Sequence, residues 1–148
     1  MQAAMKLFYL LLLLAFPAVT QAQYDFTGTW TGTLTQNTGG YAPEYEFTLY
    51  LQQEGKKITG RSYVKYGNIF AEMKLEGQLV GDKAIHWEES KIIDHWKHEN
   101  MEWCYKEATL FIVAQGKEDK LEGPWSGNTG DSECIPGKIM LRRTSPRA

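Results

Sequence analysis

Residues 26–35 read FTGTWTGTLT, with threonine at every odd number and Phe26, Gly28, Trp30, Gly32 and Leu34 at every even one. A repeat of two is the period of a β-strand with unlike faces. The threonines suit a solvated outer face. On the other face the glycines leave room for the Trp30 indole and let the ribbon bend sharply, as the wall of a closed barrel requires.

The same alternation continues down the chain. In EYEFTLYLQ, Tyr45, Phe47, Leu49 and Leu51 share one face; in KITGRSYV, Ile58, Gly60, Ser62 and Val64 do. FAEMKLEGQL places Ala71, Met73, Leu75 and Leu79 opposite Glu72, Lys74 and Glu76, and AIHWEESK aligns Ile85, Trp87 and Glu89. ATLFIVAQ, KLEGPWSG and GKIMLRR complete the set, their inward residues being Leu110, Ile112, Leu121, Trp125, Ile139 and Leu141. No segment carries a helical stripe over three turns. The pattern predicts an all-β chain, an antiparallel up-and-down barrel of about eight strands.

The links set the topology. QEGK, VGDK and GKEDK are short, polar and glycine-bearing, whereas NTGGYAP, KYGN, IIDHWKHENMEW and GNTGDSECIP count as the longer ones. Short and long links then alternate, so the tight turns collect at one end and the long loops at the other. The two cysteines, Cys104 and Cys134, both fall at the long-loop end, where a disulfide can form; free thiols or a metal pair are the alternatives.

The FTGTW opening resembles the F-x-G-x-W start of the calycin barrels, which comprise lipocalins, fatty-acid-binding proteins and avidins. The likeness covers the first strand and, loosely, the last. It implies that Trp30 packs at the closed end beneath a basic residue of the final strand, and parity with Ile139 and Leu141 selects Arg143. Neither an avidin-like biotin set nor a lipocalin helix after strand eight is present, so no family ligand is carried over. The WC before strand six and C-x-P-G before strand eight are also similar to small exported bacterial barrels of unknown function. A second G-x-W-x-G, Gly123 to Gly127, reads as similar packing in strand seven rather than as a repeat.

Ahead of the barrel, Met1 to Ala22 has one charge, Lys6, an apolar run LFYLLLLLAF, Pro17 and small residues before Gln23. That layout is a secretory signal peptide, and the run is too short to span a bilayer. Residues 23–148 are then one domain, exported to the periplasm, cell surface or medium, with no transmembrane segment. Of 16 Lys and Arg, one is Lys6, leaving 15 against 18 Asp and Glu with no long run of either sign. Nucleic acid is therefore not an expected partner.

Tyr45, Ser62, Glu89 and Trp125 are placed to converge on the long-loop mouth, with Tyr66, Trp103 and Tyr105 as its rim. Packing beside the disulfide is the other role open to Trp103 and Tyr105. An inward Glu89 needs a partner; a bulge at EES would instead turn it outward. His95 and His98 with Asp94, Glu99 or Glu102 offer zinc donors at an unspecific spacing, but a polar solvated loop is the leading account of them and a ligand-binding rim the next; no metal set and no cofactor is assigned. No catalytic constellation occurs: G-x-S-x-G, H-E-x-x-H and phosphate-cradling glycine loops are absent from the sequence, and Glu88 and Glu89 point to opposite faces. The expected function is a non-catalytic binding module for a small apolar, amphipathic or sugar ligand. The alternative is an envelope or secreted protein-interaction domain with a filled interior, toward which the inward Trp30, Trp87 and Trp125 lean.

Overall fold

The computed structural model describes residues 17–18, 23–115 and 118–144, and of residues 114–115 only the backbone. The leader assigned to Met1–Ala22 thus lies outside the described residues save for 17–18, as does the tip of the GKEDK link. The alternating segments form eight strands: β1 Gly28–Thr35, β2 Glu44–Glu54, β3 Lys57–Tyr66, β4 Ile69–Val80, β5 Ala84–Trp96, β6 Tyr105–Gln115, β7 Glu118–Asn128 and β8 Gly137–Arg143. Each pairs antiparallel with the next and β8 returns to β1, closing an up-and-down barrel. Trp30 stands opposite Leu49 on one side and Arg143 on the other. Among the described residues no helix is long and apolar enough to cross a membrane.

The even-numbered face of β1 does point inward. Trp30, Phe47, Leu49, Ile58, Met73, Leu75, Ile85, Trp87, Leu110 and Leu121 are fully enclosed and fill the lower and middle lumen. Eight strands leave a bore that side chains can just fill, and the Trp87 ring stacks on Phe47 at 6.3 Å. Gly32 is obligatory where β1 crosses β8: a Cβ there would stand 2.1 Å from the Met140 carbonyl oxygen.

The closed end is sealed by the segment before β1. Phe26, expected inside the first strand, precedes it, because Gly28 takes a φ of 137° that turns the chain under the barrel. The buried Phe26 carbonyl accepts the Trp30 indole N–H at 2.9 Å. Over the Trp30 ring, 4.4 Å from its centroid, lies the Arg143 guanidinium. It donates to the carbonyls of Thr27 at 2.6 Å and Asp25 at 2.7 Å and to the Tyr24 hydroxyl at 2.9 Å, so it ties the plug to the last strand. Burial, followed by the hydrogen bond to Asp119, raises the Tyr24 hydroxyl above the ordinary phenol range.

Two links differ from their expected lengths. KYGN is no long loop but a two-residue turn, Gly67 with Asn68 between Tyr66 and Ile69, made possible by a φ of 58° at Gly67. The IIDHW part of the fifth link belongs to β5, which continues to Trp96. Its alternation is lost because the register with β4 slips between Glu72 and Met73 and again between Lys74 and Leu75, leaving Ile93 and Ser90 without partners. Beyond Glu88 and Glu107 the β5–β6 ladder stops, so β5 parts from β6 toward the mouth.

Cys104 and Cys134 are bonded, Cα to Cα 6.3 Å, closing a separation of 30 residues and pinning the β5–β6 loop to the β7–β8 loop. Reduction should cost about 3–4 kcal/mol in the chain-entropy description. Denaturant unfolding with and without reductant measures it, and thiol titration of the unfolded, unreduced protein should find no free sulfhydryl. Two titratable thiols per chain would refute the pairing.

Candidate functional site

The long-loop end holds a recess of about 80 Å³ lined by Leu34, Tyr41, Tyr45, Val64, Met101, Trp103, Lys106 and Trp125 together with the more polar Gln36, Glu102 and Cys104. Most of this lining is apolar or aromatic, contributed by β1, β2, β3, β6, β7 and two loops. It is far below the roughly 300–1,000 Å³ that encloses a drug-sized molecule. One small group or ring edge fits.

Of the residues expected there, Tyr45, Trp103 and Trp125 line the recess. The Tyr45 hydroxyl donates to Gln36 Oε1 at 2.6 Å and accepts the Ala42 N–H at 3.1 Å. Burial raises its pKa above the ordinary phenol value, opposed by the Ala42 bond. The Trp125 indole N–H donates to the Thr35 carbonyl at 2.8 Å, joining β7 to β1. Tyr66 stands exposed on the rim, edge-on to Tyr45 at 5.8 Å and Tyr41 at 6.1 Å. Tyr105 is not part of the mouth: Lys106, Ala108 and Leu110 are the inward residues of β6, which puts Tyr105 on the opposite phase, partly buried against the core.

Ser62 and Glu89 lie deeper. The bulge does fall in EES, at Ser90, but it lies beyond Glu89 and therefore leaves Glu89 pointing inward. Its carboxylate is wholly enclosed and takes the Ser62 hydroxyl at 2.5 Å, the Lys106 backbone N–H at 2.8 Å and the Lys106 ammonium at 3.0 Å. Glu89 thus replaces the ladder bonds missing where β5 leaves β6, and it ties β3, β5 and β6 together across the lumen. It is engaged within the protein rather than presented to a ligand.

Lys106 was not among the expected site residues. Its side chain is 3% exposed, and its ammonium also reaches the Cys104 carbonyl at 3.2 Å and, weakly, Met73 Sδ at 3.9 Å. Parity with Ala108 and Leu110 was the available signal. Above it, the Trp103 indole N–H is buried without an acceptor. A mainly apolar recess with a cation at its base is suited to an acceptor atom carried on an apolar body, and the Trp103 N–H, like that of Trp87, is left without an acceptor.

Among the described residues, His95 and His98 do not gather with carboxylates into a set of three ligands. His95 is on β5 and His98 in the following loop, both exposed, and His98 packs edge-on to Trp96 at 4.9 Å. No family model, curated protein or solved structure matches the chain.

Proposed function

We propose that the protein is an exported, non-catalytic, calycin-type barrel whose long-loop mouth binds a small amphipathic molecule by one apolar or aromatic group carrying an acceptor oxygen. The observation that carries this reading is the buried Lys106 at the base of a mainly apolar and aromatic recess. Glu89 and the Cys104 carbonyl take two of its three donors and the third faces only the weakly accepting Met73 sulfur at 3.9 Å, so an anionic or carbonyl oxygen is favoured over a cation. Export is supported by the paired cysteines. The recess size limits the enclosed part to one small group or ring edge, leaving the rest of the ligand against Tyr41 and Tyr66.

Benzoate, benzyl alcohol and benzylamine share a ring and differ in the polar end. Titrated against tryptophan fluorescence, they should bind in that order, and Lys106→Met should remove about 1.5–3 kcal/mol of benzoate affinity, the usual loss for a charged hydrogen bond. Trp103→Phe, which keeps the ring, should weaken benzoate and benzyl alcohol alike. Equal or tighter binding of benzylamine, or no saturable change with any of the three, would sink the proposal.

A second reading has its own observation. Tyr41, Tyr66 and Ile135 are exposed large apolar residues at the loop end. They suit a protein partner that inserts one side chain into the recess. Failure of all three small rings would favour it.

A further inference from the structure

On the outer wall, away from the mouth, β5 and β6 bring a histidine and two glutamates together. His86 and Glu88 are two residues apart and so share the outer face of β5, while Glu107 stands directly opposite Glu88 on β6. One ligand atom from each lies within 4.8 Å of the others. We propose that His86, Glu88 and Glu107 hold a divalent transition-metal ion of the zinc class.

The spacing carries the inference. His86 Nε2 is 3.5 Å from Glu88 Oε1 and 3.9 Å from Glu107 Oε2. Both separations exceed a hydrogen bond of about 2.7–3.2 Å, yet they approach the roughly 3.3–3.5 Å between donor atoms that share a tetrahedral zinc. The imidazole is also oriented for the purpose. Its Nδ1 is 2.9 Å from Thr109 Oγ1, the residue opposite it on β6. With Nδ1–H donating to that hydroxyl, the Nε2 lone pair faces the two carboxylates, as the second nitrogen of a metal-bound histidine does.

Charge points the same way. Two carboxylates directly across an antiparallel pair repel, and Glu76 stands opposite Glu88 on the other side. Glu76 has Lys74 at 3.5 Å, whereas among the described residues Glu88 and Glu107 have only His86 within ion-pair reach. A dication between them relieves what no lysine or arginine does. A groove along the same wall, lined by His86, Glu107, Thr109, Pro124 and Ser126, leaves water or a small ligand access to a fourth coordination position.

The test is Zn²⁺ titration of the full barrel by calorimetry, with Co²⁺ absorption as a spectroscopic reporter of nitrogen and oxygen ligation. One Zn²⁺ should bind per chain, and His86→Ala and Glu107→Gln should each weaken it by at least about tenfold, with Thr109→Val weakening it about tenfold through the ring orientation. These side chains face outward, so the variants should stay folded, which far-ultraviolet circular dichroism checks. A double His95→Ala, His98→Ala variant should bind as the unmodified chain does. Zn²⁺ binding that survives His86→Ala, that disappears with His95 and His98, or that is no tighter than about 1 mM overturns the proposal; in the last case the three side chains are only neighbours on the sheet surface.

Discussion

Lys106→Met is expected to cost the fold about 3–5 kcal/mol, and adding Glu89→Gln should return most of it. The single change leaves a buried carboxylate facing a thioether, with only Ser62 and the residue 106 backbone N–H as partners. Breaking one side of an enclosed ion pair is costly because the remaining charge has no water to replace its partner, whereas removing both charges is close to neutral. In the double variant the amide oxygen at position 89 still accepts the residue 106 backbone N–H, and the amide NH2 donates to the Ser62 hydroxyl, so the tie between β3, β5 and β6 survives. Glu89→Gln alone should cost a similar amount, since it leaves the Lys106 ammonium with the Cys104 carbonyl and a sulfur. Denaturant unfolding of the four proteins gives the coupling directly. Additive losses, with the double variant worse than either single one, would mean that the two charges do not depend on each other.

The second large effect belongs to the closed end. Trp30→Ala should destabilise the barrel by about 3–5 kcal/mol, as large-to-small changes in a packed core do. Three things disappear together: the contacts of a fully buried indole, its bond to the Phe26 carbonyl, and the surface on which Arg143 rests. Trp96→Ala removes the same side chain from an exposed place on β5 and should change stability by no more than about 0.5 kcal/mol. A loss below about 1 kcal/mol for Trp30→Ala would show that the plug and Arg143 hold the closed end without it.

Much of the fold was legible because in strand after strand one face is polar and the other apolar, and a period of two leaves little freedom of register. Trp30, Leu75, Leu121 and Leu141 could be turned inward from their neighbours alone. What escaped reading was local backbone chemistry. Gly67 in the left-handed region compresses KYGN into a turn, and two bulges erase the alternation of SKIIDHW, so a strand end looked like a loop.

The mouth was legible in part for a related reason. Tyr45, Trp103 and Trp125 announce themselves as aromatics, and the inward Glu89 as an anomaly. Its partner did not, because a lysine beside Tyr105 and Trp103 reads as solvated until the phase of Ala108 and Leu110 is carried back to it. His86, Glu88 and Glu107 become neighbours only through the β5–β6 register, which no single strand contains.

The indole resonances of the protein provide the most direct measurement of binding at the mouth. Trp103 and Trp125 line the recess, Trp30 is bonded to Phe26 at the closed end, and Trp87 is buried in the middle. In a nitrogen–proton correlation spectrum titrated with benzoate, the Trp103 and Trp125 signals should move together and saturate, the unpaired Trp103 N–H shifting most, while Trp30 and Trp87 stay in place. Saturation with Trp103 and Trp125 unmoved, or with Trp30 moving instead, would contradict a ligand site at the long-loop end.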